Sequence, residues 1–394
     1  MSIVNSVKGF VRTVLGIPPL TLPDCVDTES IINYTIDGNS IQDGTPTPEA
    51  PVEVESVGEY DEETGKYKIP VVCSGKNMFD KYNYTIAQGY YNDNGEHKPS
   101  ADNSTWYIEN YYPVYSGTYY RISGIKGRNG EPSAVYFYDK DKQWISRVRY
   151  SYAEVMSSGF TFKTPIECKF VRFQIHGNDT ITENIFNKDI FMFELGTVTT
   201  DYEPYVEPVT TNIYLDEPLR KVGSVADTID FENQKVIRRI KKWMFTEWDR
   251  SYGIDYYSDR MSASQTWTTC CIAIPFKNMA YGYSNKTVSH FKRGTNGQAF
   301  SWKTATHGIY SAHSENSRIY IDLGDNKSLY NSSNSISNWE YWNEAYVIGE
   351  LAEPTETPIT LPKLPTIKGT TIYSIDTAIQ PTNMSATYYS TAKE

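Results

Sequence analysis

Between Leu22 and Leu195 the chain contains no leucine. Leucine is a strong helix former, so so long a stretch without it argues against helical packing there. Tyrosine is the excess instead: 33 Tyr stand against 15 Phe and 8 Trp in 394 residues. Aromatic and β-branched side chains suit a pleated, half-buried surface. Short aromatic runs are punctuated by 25 Gly and 20 Pro, as strands separated by turns would be. The expected fold is all-β: tandem jelly-roll-like β-sandwich modules with a short N-terminal helix.

At about 150 residues per domain, the length points to two or three domains. The pattern divides them at 1–19, 20–74, 75–208, 209–369 and 370–394. In the first stretch Val4, Val7, Val11 and Val14 repeat at helix-seam spacing, and Lys8 and Arg12 turn away. Ile3, Phe10 and Leu15 widen the stripe, and Gly16 with Pro18-Pro19 ends it. So short an amphipathic helix is marginal alone. Its stripe must bury against its own domain or anchor the chain in an assembly. Lys8 and Arg12 also break the apolar run, so no secretory signal is expected.

The 31–36 run followed by Asp37-Gly38 carries a hairpin signal. Residues 45–51, with three prolines, read as an extended connector on the surface. Further strands are expected at 67–73, 119–123, 134–138, 169–176, 190–195, 345–351, 370–375 and 384–389. In 169–176 polar residues largely alternate with apolar ones, the pattern of a sheet with one wet face. A short helix is expected near 335–343. An alternative topology has the C-terminal strands return to the N-terminal ones, leaving 240–350 as an insertion.

The charge balance is acidic, with 37 Lys+Arg against 48 Asp+Glu and a net charge of −11. That argues against nucleic acid as a partner. No long apolar run is present, so no membrane insertion is expected. The five cysteines, Cys25, Cys73, Cys168, Cys270 and Cys271, have no CxxC pair and read as free thiols. His97, His176, His290, His307 and His313 show no metal-ligand spacing. No metal site or other cofactor is expected. The one weak candidate is structural calcium at Asp139-Lys140-Asp141 or Asp93-Asn94-Gly95-Glu96, where ordinary turn chemistry is the favoured reading.

Aromatic rings carry the binding signal, because they offer flat apolar platforms with polar tips to the C–H faces of sugars. Trp106, Tyr107, Tyr111, Tyr112 and Trp144 are candidates in the 75–208 module, and Trp302 in the next. Trp339 with Trp342 are candidates there too. The competing reading is that most such rings fill cores. The basic run Arg238-Arg239-Ile240-Lys241-Lys242-Trp243 reads as an edge strand guarded by charge. The alternative is a patch for anionic wall polymers. No GxSxG, HExxH or P-loop motif occurs.

Four segments, in order, resemble the tail, baseplate and minor structural proteins of phages and prophages of Gram-positive bacteria. They are Asp43-Gly44-Thr45-Pro46-Thr47-Pro48 and Ser74-Gly75-Lys76-Asn77-Met78-Phe79-Asp80. Then come Tyr214-Leu215-Asp216-Glu217-Pro218-Leu219-Arg220 with 227–239, and Leu351-Ala352-Glu353-Pro354-Thr355-Glu356 with Gln380-Pro381-Thr382-Asn383-Met384. The family commonly has Leu at the position of Met78, a conservative change. The resemblance implies a virion tail-tip or baseplate component made in the bacterial cytoplasm, with modules similar to carbohydrate-binding ones. It implies attachment to host cell-wall polysaccharide, contacts with other tail proteins, and a homo-oligomer, a trimer being favoured. It brings no catalytic motif, so the chain is expected not to be an enzyme. A purely structural tail role and a wall-glycan hydrolase are the alternatives, the latter because paired carboxylates are visible only in a fold.

Overall fold

The structure, a computed structural model, describes residues 3–7, 20–22, 31–47, 49–92, 95–99, 105–124, 133–150, 159–176, 186–198, 200–248, 255–257, 271–280, 286–289, 309–310, 318–322, 341–367 and 369–390. The chain is nearly all β, in several antiparallel sheets. The described residues contain no α-helix, only a 3-10 turn at Phe245–Glu247, and no helix among them is long and apolar enough to cross a membrane.

Seven strands form one sheet in the order Ile3–Val7, Asn383–Ser390, Ile31–Asp37, Thr228–Asp230, Lys235–Met244, Tyr346–Pro358, Lys286–Val288. A second sheet runs Val209–Leu215, Lys66–Gly75, Thr371–Ile375, Leu20–Leu22, with Glu59–Asp61 also on Lys66–Gly75. Side chains from both meet in one core. Tyr34, Ile36, Ile229, Val236 and Met384 come from the first sheet, and Ile69, Val71, Ile213, Leu215, Tyr373 and Ile375 from the second. The buried hydroxyls are satisfied across the layers: Tyr34 donates to Tyr373 at 2.9 Å, and Tyr373 donates to the Pro365 carbonyl at 2.6 Å. Pro70 fits a central strand because it sits where the neighbour changes. Glu59–Asp61 stops pairing at Lys68, and Thr371–Ile375 starts at Val71.

The C-terminal strands therefore do return to the N-terminal ones. Asn383–Ser390 pairs along Ile31–Asp37, and Thr371–Ile375 lies between Lys66–Gly75 and Leu20–Leu22. Residues 76–208 leave from Gly75 and come back at Val209, which is paired with Cys73. This excursion builds its own two-layer module. One sheet is ordered Trp144–Tyr150, Ser133–Tyr138, Phe170–His176, Thr105–Ile108, Ile86–Gln88, with Tyr112–Pro113 also on Phe170–His176. The other is Phe160–Lys163, Tyr119–Ser123, Met192–Leu195. Between them lies an aromatic core of Phe79, Tyr112, Tyr120, Phe137, Phe162, Phe173, Phe191 and Phe193, with Val135, Val171 and Ile175. Several ring pairs are edge-on, such as Phe79 and Phe191 at 4.6 Å between centroids, each worth about 0.5–1.5 kcal/mol beyond area burial.

The Ser74–Asp80 segment is the hinge of this excursion. Lys76 pairs with Glu203 at 2.9 Å, and Glu203 accepts from the Thr370 amide and hydroxyl. Asn77 is buried; its Oδ1 accepts from the amides of Phe79 and Phe193, and its Nδ2 donates to the Phe191 carbonyl. One side chain thus replaces a missing rung between the entering and leaving strands.

Two expectations are corrected. Ile3–Val7 is a strand paired with Asn383–Ser390, so the helix expected over 1–19 does not form at Val4 and Val7. Val11 and Val14 lie outside the described residues. In sequence terms, a Val-rich stretch has better β than helix propensity, and the open edge of a sheet overrides the 3–4 spacing. Asp37-Gly38 does not close a hairpin, since Ile31–Asp37 pairs with Thr228–Asp230 and Asn383–Ser390. Gly38 is required for another reason: a Cβ there would lie 2.5 Å from the Arg220 carbonyl oxygen. The basic strand Lys235–Met244 pairs along Tyr346–Pro358, and Thr228–Asp230 flanks its other side only from Lys235 to Ile237, so among the described residues the run from Arg238 to Trp243 has a strand on one side alone, as the edge reading expects. Residues 335–340 of the expected short helix lie outside the described residues, and Tyr341–Glu344 is a turn.

Candidate functional site

Strand alternation gives the larger sheet of the module two different faces. In Ser133–Tyr138, Val135 and Phe137 enter the inner core, and Ala134, Tyr136 and Tyr138 point the other way. In Phe170–His176, Val171, Phe173 and Ile175 go inward, leaving Phe170, Arg172 and Gln174 on the outer face. Register places Arg172 opposite Tyr136, Phe170 opposite Tyr138, and Tyr107 opposite Gln174. The outer face is thus a second aromatic cluster of Tyr91, Tyr107, Tyr136 and Tyr138, with Tyr111, Trp144 and Phe170 packed against it.

Arg172 is its centre. The guanidinium carbon lies 4.5 Å from the Tyr111 ring centroid, 4.7 Å from Tyr91 and 5.6 Å from Tyr107. Lys142 reaches the same Tyr111 ring at 5.0 Å and Phe170 at 5.8 Å. Arg147 lies over Tyr136 at 5.9 Å. Cation–π contacts of this kind contribute about 0.5–2 kcal/mol each. The Nε atom of Arg172 and the Nε1 atom of Trp144 are buried with no hydrogen-bond partner among the described residues.

The polar groups beneath are held firmly. The Tyr136 hydroxyl lies 2.6 Å from the Tyr91 carbonyl oxygen and 2.7 Å from Gln174 Oε1, which also accepts from the Tyr91 amide at 3.2 Å. Burial pushes the Tyr138 phenol up to about 12, against an opposing pull from the Arg172 charge. Burial raises Tyr91 and Tyr136 further, and raises Tyr107 with help from nearby Glu109.

The hairpin of Tyr90–Tyr91 and His97–Lys98 packs over one part of this face. Gly95, at φ +73°, lies against the Trp144 indole. The face predicted to be wet is therefore partly roofed by the module's own chain. Lys142 holds a left-handed φ of 59° in the Asp139–Gln143 turn, which carries its side chain to the Tyr111 ring.

The candidates named from sequence separate accordingly. Tyr107, Tyr111 and Trp144 come together on this outer face. Tyr112 belongs to the inner core. Trp106 sits in register with Ile175, and its indole nitrogen is buried. Trp302 lies outside the described residues. Sequence reading missed Tyr91, Tyr136, Tyr138, Lys142 and Arg172. The alternation of 169–176 already put Arg172 on the face opposite the core, which was the available signal.

Elsewhere the polar clusters are internal. Asp227 is fully buried: its Oδ1 accepts from the Arg239 and Ile240 amides, its Oδ2 from the Arg220 amide and the Arg238 guanidinium. Arg238 also donates to the Pro218 and Glu217 carbonyls, and Arg239 to Ala226 and Thr228. The guanidinium groups of the basic run are therefore engaged within the fold. Glu194, buried and accepting from Thr200, has its carboxyl raised by burial. Asp139 Oδ1 accepts from the Asp141 and Gln143 amides, and Asn92 Oδ1 from the Glu96 amide, as turn residues do. Among the described residues no three His, Cys, Asp or Glu side chains gather as metal ligands would.

No protein-family model, curated protein or solved structure matches this chain.

Proposed function

We propose that the chain is a tail-tip or baseplate component of a phage of Gram-positive bacteria, and that it attaches the virion to the host by binding wall glycans. The reading rests on the four ordered sequence segments and on one structural observation. That observation is the cation-bearing aromatic outer face of the 76–208 module, where Tyr111 and Trp144 remain half-buried rather than sealed. The module is read as a jelly-roll-like, carbohydrate-binding sandwich, a rigid scaffold that binds without turnover. Weak single contacts would be multiplied by several copies, a trimer being favoured.

The test is retention on purified Gram-positive cell walls. The intact chain should be retained, and Tyr111→Ala or Trp144→Ala should weaken retention by about tenfold, the loss of about 1.4 kcal/mol. Full retention of both folded variants would remove this face as the site. A purely structural tail role is the second reading, favoured by the roof that the Tyr90–Tyr91 and His97–Lys98 hairpin places over the cluster. It predicts no retention of the wild-type chain.

A further inference from the structure

The strand Val209–Leu215 is an open edge of the body. It pairs with Lys66–Gly75 on one side, from Val209 opposite Cys73 to Leu215 opposite Tyr67, with no shift of register. Among the described residues no strand pairs with its other side. A free edge is a template for another strand, and proteins ordinarily blunt it with charge, proline, a bulge or shortness. The other edges of the body sheets and of the 76–208 module are blunted in this way. Trp144–Tyr150 carries Arg147, Arg149 and a shift of register. Leu20–Leu22 is three residues long, between Pro18-Pro19 and Pro23. Glu59–Asp61, Ile86–Gln88 and Lys286–Val288 are as short. Phe160–Lys163 and Met192–Leu195 have four residues each and carry Lys163 and Glu194. Ile3–Val7 has five, with Lys8 next in the chain.

Val209–Leu215 has seven residues, none charged and none proline. Ile213 and Leu215 are buried in the body core, whereas Val209, in the same row of the strand, is 52% exposed. Thr210 and Asn212, on the opposite face, are exposed as well.

Two copies of such an edge can meet as antiparallel strands about a twofold axis. Opposed residues of an antiparallel pair share a face, so the row of Val209, Thr211, Ile213 and Leu215 must oppose its own kind, and the axis must pass through a residue. Only an axis at Asn212 overlaps the whole strand. It sets Val209 against Leu215, Thr211 against Ile213 and Thr210 against Tyr214, which are favourable β-branched, aliphatic and aromatic pairs. Asn212 meets Asn212, whose amides both donate and accept. The exposed Val209 of each copy then continues the core row of the other. No charge within the strand opposes this approach, although the whole chain carries −11.

We propose that Val209–Leu215 is a self-association edge, on which a second copy of this chain adds its own Val209–Leu215 in the antiparallel register centred on Asn212. The inference is independent of the glycan reading. Its symmetry is twofold, so this contact is separate from any that would build the trimer favoured above.

The experiment is sedimentation equilibrium of the full chain over a range of concentrations. It compares the wild type, Asn212→Lys, Asn212→Asp and an equimolar mixture of the two variants, with circular dichroism to confirm that each is folded. The wild type should show a step in which mass doubles. Like charges directly opposite each other are unfavourable, so each variant alone should raise the dissociation constant of that step about fivefold or more. The mixture sets Lys against Asp and should regain the wild-type association. Thr210→Lys, at another exposed position, should also weaken the step and carries the test if an Asn212 variant misfolds. A wild type that stays single or forms only a trimer would overturn the proposal. So would association that every folded variant leaves unchanged, or Asn212 variants that dissociate without recovering on mixing.

Discussion

A Cβ added to Gly95 would lie 2.3 Å from the indole ring of Trp144, and Gly95 holds φ +73°. Both facts make the residue irreplaceable where it stands: the roof over the aromatic face closes only because this position has no side chain. Gly95→Ala is expected to lift the loop from Trp144 and to cost about 1–3 kcal/mol of strain. Acrylamide quenching should rise at a tryptophan that Trp144→Phe removes. Unchanged quenching and an unchanged urea midpoint would mean that the loop does not rest on the ring.

The second prediction concerns the body. Asp227 gathers three amides and the Arg238 guanidinium in a fully buried site. Removing one partner of a buried pair leaves the other charge uncompensated, at about 3–5 kcal/mol. Asp227→Ala should lower stability by that amount in urea denaturation. A loss below 1 kcal/mol, the range of a surface ion pair, would contradict the structure here.

Alkaline pH supplies the third. Burial pushes Tyr34 and Tyr138 up to about 12 from an ordinary 10.0, and Cys73 and Cys168 up to about 11 from 9.0. Burial raises Tyr112, Tyr120, Tyr150 and Tyr373 in the same direction. Each group is neutral when protonated, and the folded state keeps its proton to higher pH than the unfolded chain does. The associated stability is therefore complete below about pH 9 and is lost as pH rises through the folded values. The urea midpoint should be level from pH 7 to about 9 and fall steeply from about 10 to 12. A midpoint that is unchanged at pH 11 would contradict the burial of these phenols.

Much of the architecture was legible because strand signals are local. The leucine-free stretch, the alternation in 169–176 and the aromatic runs at 119–123 and 134–138 all correspond to observed strands. Pairing was less legible, since Asp37-Gly38, Val4 and Val7 carry local signals that partners distant in sequence override. The basic run reads as a guarded edge and pairs with a strand on one side only from Arg238 onward, but its link to Asp227, which accepts from the Arg238 guanidinium and the Arg239 amide, is invisible in the sequence. The segments behind the family resemblance likewise have structural uses, Asn77 stitching strands and Asp227 filling a polar core. Of the site, sequence found Tyr107, Tyr111 and Trp144. It missed the buried tyrosines and Arg172, because which ring faces which sheet depends on register rather than residue type.

The account turns on recognition without chemistry at the outer face of the 76–208 module. The most direct measurement mixes the intact chain with purified wall polysaccharide and follows binding and polymer length together, for the wild type and for Tyr111→Ala. The account predicts saturable binding by the wild type, about tenfold weaker in the variant, with polymer length constant throughout. Failure of the wild type to bind, or progressive shortening of the polymer, would contradict it.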